Sequence, residues 1–318
     1  MERLSNIKEK VRLALNIKVQ PYLMDHQFQG KAVLPAVEAM EILAASTLTH
    51  LPGTAFNAIR DARFDKFLVI EDGQQQIDAF NDLEVFDNGR VISRFITRTR
   101  SKKAMITRTL EHSILCFHGV SSAPEPHPPG VLTGFDPSFS KCHIPVESIY
   151  QSLVPFGSGY HNLKELTLFK KGARGQVYAP LLGESERVLG SPFTLDAAFH
   201  AACVWGQRYV GYVGFPVGFG LRRLFTPTHS GNTYTARIFP KEIHSNRFLV
   251  DIWITDKDET LHEVALDVIM KDVSGGRIKP PSWIMSDAAG ARSKFGDLDK
   301  FINNQPSVQR SVKPVLTP

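Results

Sequence analysis

Cysteine is scarce in this 318-residue chain: Cys116, Cys142 and Cys203 are the full set, and no two stand as a CxxC pair. An odd, sparse set cannot found a disulfide framework, and it suits a reducing cytoplasm. Long apolar runs are missing too. No stretch reaches the ~18 consecutive apolar residues of a membrane-spanning helix, and the segment Met1 to Lys10 is too charged for a secretion signal. No membrane role is expected. A strong charge of either sign is also lacking, since Lys and Arg number 37 against 32 Asp and Glu, a net +5. Between Gly275 and Pro318 seven basic residues meet three acidic ones, so the tail holds most of that excess. The body is close to neutral, which argues against a nucleic-acid partner.

What remains is ordinary globular material, 42% hydrophobic and 22% charged, long enough for one large domain or two smaller ones. The charged N-terminal stretch reads as a short helix and, with Met1, suits a free-standing protein. Residues 34–48 read as a longer helix: Ala, Met, Leu and Glu favour it, and Pro35 sits where a first-turn proline is tolerated. Its apolar stripe is broad, as for a helix mostly wrapped by other structure. Strands follow at Gln76–Phe86 and Arg90–Arg100, flanking the turn signal Asp87-Asn88-Gly89, and then at Ala104–His118. Pro124, Pro126, Pro128, Pro129 and Pro137 mark 121–140 as a linker. Beyond it the order recurs, with a helix over Pro192–Tyr209 and strands at Thr233–Pro240, Phe248–Thr255 and Leu261–Lys271. The layout is α+β, with two similar units (1–120 and 141–274) and a basic, proline-bearing tail (275–318) that suits an interdomain linker equally well.

Two clusters carry chemistry. In Asp25-His26-Gln27-Phe28-Gln29-Gly30 the histidine precedes a glycine by four residues, and Pro35 opens the helix five residues later. Imidazole titrates near neutrality, as a general base should, and amides at a helix N-terminus can polarise a carbonyl. A solvent-exposed loop histidine and a proline acting only as helix punctuation fit the same pattern. In Ser191-Pro192-Phe193-Thr194-Leu195-Asp196, Asp196 falls in the first helical turn, with His200 one turn on and facing the same way. Asp196 could simply complement the helix dipole. Its apolar neighbours Leu195, Ala197, Ala198 and Phe199 also offer the burial that favours a protonated general acid.

His26-xxx-Gly30-xxxx-Pro35 resembles the HxxxGxxxxP motif of polyketide synthase dehydratase domains, and Asp196-xxx-His200 resembles their DxxxQ/H motif. Between them Phe156-Gly157-Ser158-Gly159-Tyr160 is similar to the family's YGPxF segment. The likeness covers about residues 10–273. It departs where Phe156 replaces the tyrosine, Ser158 the proline, and Ala36 the glycine after the motif's final proline. The resemblance implies a double hotdog fold, in which two sheets each wrap a central helix, with the site between the halves. It implies a substrate held as a thioester on the phosphopantetheine of an acyl carrier protein, and no other cofactor. Partners would be that carrier, other synthase domains or subunits, and a second copy in a homodimer. His26 would remove the α-proton of a 3-hydroxyacyl thioester, Asp196 would protonate the departing hydroxyl, and His200 would orient Asp196. Gly30, Pro35, Phe156, Gly157 and Tyr160 would lie along the substrate. A product-template-type aldol cyclase, an enoyl isomerase and a non-catalytic acyl-carrier-binding scaffold share the fold and remain open.

Other signals carry less. Phe215 and Phe219, in a glycine-rich stretch that reads as a loop entering a strand, are candidates to line an acyl pocket. His112, Cys116 and His118 share one strand face but lack a fourth ligand, so no metal is expected.

Overall fold

The computed structural model describes residues 6–54, 56–100, 107–117, 142–181 and 187–285. The expected linker, His118 and the tail beyond Met285 lie outside these. The first half runs β1 (Ile7–Lys18), β2 (Gln27–Phe28), β3 (Lys31–Val33), α1 (Ala36–His50), β4 (Ala58–Phe64), β5 (Val69–Ile70), β6 (Gln76–Phe86), β7 (Val91–Arg100) and β8 (Thr107–Phe117). The second half runs β9 (Cys142–Ile144), α2 (Val146–Ser148), β10 (Leu163–Phe169), β11 (Gly172–Tyr178), α3 (Pro192–Tyr209), β12 (Phe215–Leu224), β13 (Thr233–Ile243), β14 (Arg247–Thr255), β15 (Leu261–Lys271) and α4 (Ser282–Met285).

The N-terminal segment is a strand, not the short helix expected. Val11, Leu13, Leu15 and Ile17 turn to the core while Lys10, Arg12, Asn16 and Lys18 face out, a period of two. It pairs antiparallel with β6, where Lys10 meets Glu84 at 2.8 Å and Arg12 meets Asp82 at 2.5 Å. The glycine-rich stretch before residue 221 is likewise strand from Phe215 on. The two long helices form where the sequence places them, although α1 begins after Pro35 and runs on to His50.

Among the described residues, twelve strands form one sheet in the order β1-β6-β7-β8-β4-β12-β15-β14-β13-β11-β10-β9. Helix α1 packs on β6, β7 and β8, and α3 packs on β10, β11, β13 and β14, so each half wraps its sheet around one helix. Residues 192–207 of α3 are all buried, which explains its small residues Ala197, Ala198, Ala201 and Ala202 under close-packed strands. The halves meet edge to edge, with β4 antiparallel to β12 from Ala58↔Arg223 to Arg63↔Gly218. A side chain at Gly218 would drive into the Ala62 carbonyl, so this seam needs glycine there. Polar pairs cross the same junction. Glu38 of α1 is held by Arg187 at 2.7 Å, and Glu41 accepts the Val188 and Leu189 amides at 2.7 and 2.8 Å.

Candidate active site

His26 follows a single 3-10 turn (Pro21–Asp25) and leads into the β2–β3 hairpin. The hairpin turns at Gln29 and Gly30, both in left-handed backbone, which is why a glycine stands there. The hairpin also fixes the imidazole. Nδ1 lies 3.0 Å from the Val33 carbonyl oxygen, which can only accept, so Nδ1 carries the proton and Nε2 keeps a free lone pair. That Nε2 sits 4.0 Å from Asp196 Oδ1, across the junction. Burial, assisted by the nearby His200, pulls the His26 pKa below the usual imidazole value against the opposing pull of Asp196. A neutral imidazole with an unprotonated nitrogen is what a base needs.

Asp196 lies in the second turn of α3 rather than the first, because the helix begins at Pro192 and Thr194 Oγ1 already bonds the Ser191 carbonyl. It therefore does not cap the dipole. It is 5% exposed and looks toward His26. His200, one turn on, brings Nε2 to 3.0 Å from Asp196 Oδ2. The contact has hydrogen-bond length without hydrogen-bond alignment, and neither atom has another partner. Behind it, the Tyr150 hydroxyl accepts the Leu163 amide at 2.8 Å and lies 3.4 Å from His200 Nδ1. Burial keeps that phenol protonated, so its proton faces Nδ1 and leaves Nε2–H directed at the carboxyl. No spacing in the sequence singles out Tyr150; its part follows from the turn over 149–153 that carries it.

Phe156 wedges between the two imidazoles, its ring 4.4 Å from His26 and 5.1 Å from His200. One cavity of about 600 Å³ opens on this group. His26, Asp196, His200, Phe156 and Phe215 line it, as does Ala36 at the start of α1. Gly30, Pro35, Gly157 and Tyr160 do not line it. Pro35 caps α1, and Tyr160 is 1% exposed behind His26, 5.0 Å from its ring. The wall is mostly apolar, with Val33, Leu34, Phe64, Phe95, Val154 and Phe199 in it. Cys203, one turn beyond His200, also faces the cavity, its thiol pKa pushed up to about 11 by burial. Toward solvent, Phe67 stacks on Phe28 at 4.7 Å, and Arg63, Lys66 and Lys271 are exposed on the rim.

Metal ligation has no seat here. Among the described residues no group of three His, Cys, Asp or Glu side chains converges. His112 is committed, its Nε2 to Thr97 Oγ1 at 2.8 Å and its Nδ1 to the Lys66 carbonyl at 3.3 Å. Among the described residues no helix is long and apolar enough to cross a membrane.

Two fused units, each a sheet around one long helix, make this a double hotdog fold, with a His/Asp pair at the junction of its halves. Solved structures with this fold include the dehydratase domain of a mycocerosic acid synthase-like polyketide synthase, at a TM-score of 0.67 and 17% identity over 86% of this chain and 94% of that one. A trans-AT polyketide synthase dehydratase domain from Brevibacillus brevis matches at 0.65 and 14% over 83% and 94%. A dehydratase domain of the curacin polyketide synthase matches at 0.64 and 19% over 85% and 96%. In sequence, 218 residues, or 64% of this chain, are 25% identical to one of the subunits of the polyunsaturated fatty acid synthase of Thraustochytrium sp.. The chain spans only 7% of the length of that relative. No protein-family model matches the chain.

Proposed function

We propose that this chain removes water from a 3-hydroxyacyl thioester to give a 2-enoyl thioester, with the acyl group carried on phosphopantetheine. The observation that carries the reading is the unprotonated Nε2 of His26 facing Asp196 Oδ1 at 4.0 Å inside an apolar cavity. His26 Nε2 takes the α-proton and the electron pair of that C–H bond forms the new double bond. The C3–O bond breaks, and the oxygen leaves as water with the proton of Asp196. The dyad is then an imidazolium beside a carboxylate. Handing the proton back across the 4.0 Å gap restores the starting state. Hydroxide leaves poorly and the α-proton is weakly acidic, so acid and base must act together. Ala36, at the N-terminal end of α1, offers amide polarity to the thioester carbonyl.

The rim suits a tethered substrate. Arg63, Lys66 and Lys271 can meet the phosphodiester of a pantetheine arm, and Phe28, Phe67 and Phe215 offer an apolar path inward. On this reading the partners are an acyl carrier protein and the other domains or subunits of a synthase, and the arm is the sole prosthetic group. The test is turnover of 3-hydroxybutyryl and longer 3-hydroxyacyl pantetheine thioesters, followed by mass in both dehydration and hydration directions. Loss of turnover in His26→Ala and Asp196→Asn, with folding intact, is the expected result. No turnover by the wild type in either direction, on pantetheine and carrier-bound substrates alike, would overturn it in favour of a cyclase or a scaffold.

A further inference from the structure

We propose that Asp25 is a positioning residue that holds the base in register with the acid across the two halves. Asp25 immediately precedes His26, yet its bonds go to the other half of the molecule. Its carboxylate Oδ2 accepts the Gly159 amide at 2.7 Å, and its own carbonyl accepts the Gly157 amide at 2.8 Å. Both glycines are shaped by this contact. A Cβ on Gly157 would overlap Asp25 Oδ1, and one on Gly159 would lie 3.0 Å from Oδ2 and 3.2 Å from the Tyr22 side chain.

The clasp reaches both members of the dyad. On one side it ends at His26 itself. On the other, the clasped segment begins at Phe156, whose ring touches both imidazoles, and whose carbonyl accepts His161 Nε2–H at 2.9 Å. His161 in turn stacks on Tyr150 at 4.1 Å, and Tyr150 stands 3.4 Å from His200 Nδ1. A continuous set of contacts thus runs from the residue beside the base to the residue that orients the acid. Phe156-Gly157-Ser158-Gly159 is then a strap built to receive the Asp25 carboxylate, which gives its two glycines a purpose that substrate contact does not supply.

The inference rests on the dehydratase reading for its kinetic arm but not for its structural one. The experiment compares full-length wild type, Asp25→Ala and Asp25→Asn. The readouts are kcat and KM on a 3-hydroxyacyl pantetheine, hydrogen exchange of the Gly159 amide, and titration of the His26 imidazole by NMR. Asp25→Ala should lower kcat about 10–100-fold with KM within about threefold, as a misplacement of up to an ångström would. It should also speed Gly159 exchange at least tenfold and move the His26 titration up toward the ordinary imidazole value. Asp25→Asn keeps an acceptor oxygen for Gly159 and should restore all three to near wild type. If Asp25→Ala does not fold, Gly159→Ala replaces it, since its added methyl pushes on the same carboxylate. Unchanged His26 titration and Gly159 exchange in the Ala variant, or an Asn variant as impaired as the Ala, would overturn the proposal. A wild type without turnover would sink the dehydratase reading alone, because the two spectroscopic readouts still decide the clasp.

Discussion

Removing the carboxylate of Glu263 should cost this protein more stability than any other single change outside the site. Arg222 of β12 and Glu263 of β15 form a two-pronged pair, Nε to Oε1 at 3.2 Å and Nη2 to Oε2 at 2.9 Å, with side chains 3% and 0% exposed. Arg222 Nη2 also donates to the Leu189 carbonyl at 3.3 Å, and the Leu189 amide donates to Glu41 of α1. Glu263→Leu leaves a guanidinium in the interior with one backbone partner and no means of shedding its charge. Breaking such a pair from one side costs about 3–5 kcal/mol, a fall of roughly 10 °C in melting temperature at this chain size. Adding Arg222→Met should recover most of the loss, because an apolar pair needs no compensation. Urea unfolding followed by the fluorescence of buried Trp205 and Trp253 measures both variants. A Glu263→Leu loss under about 1 kcal/mol, or a double variant no better than the single, would refute the account of this pair as a buried, mutually dependent charge couple.

Two further outcomes follow from burial. Because the folded state holds His26 neutral below its ordinary pKa, activity should persist as pH falls through 6.5 and decline only lower down. The same shift makes the folded chain bind fewer protons than the unfolded one in that window, so stability falls as pH drops from about 6.5 toward the folded value; a kcat/KM profile with its acid limb above 6.5 contradicts this. Gly206→Ala should destabilise by about 1–3 kcal/mol through overpacking, since the added methyl enters the ring of fully buried Phe248. Phe248→Leu in the same chain should relieve part of that loss in the unfolding midpoint.

Much of this is legible in the sequence. The strand pair 76–86 and 91–100 shows in alternation around Asp-Asn-Gly, and α3 shows in an unbroken run of small and apolar residues. The order of the His26 and Asp196 motifs places one group of the dyad in each half. Other features have no local signal. Strand β1 hides behind its charge, because the residues that face out are Lys, Arg and Asn, and only every second position tells. Glu38 and Glu41 look like ordinary solvent-facing helix residues until Arg187, Val188 and Leu189 arrive from nearly 150 residues away. Asp25 reads as the flank of a histidine motif, since its partners Gly157 and Gly159 come from the other half of the chain.

The β4–β12 seam has a mechanical meaning. A site between two halves suggests a jaw that opens for its substrate and shuts on it. Here the halves are adjacent strands of one sheet, bonded from Ala58–Arg63 to Gly218–Arg223. Prising them apart would strip partners from buried backbone groups, each an expensive loss. The cavity therefore behaves as a bore of fixed calibre rather than a jaw. An acyl chain must thread in past Phe67 and back out by the same mouth, and the room for it was set when the chain folded.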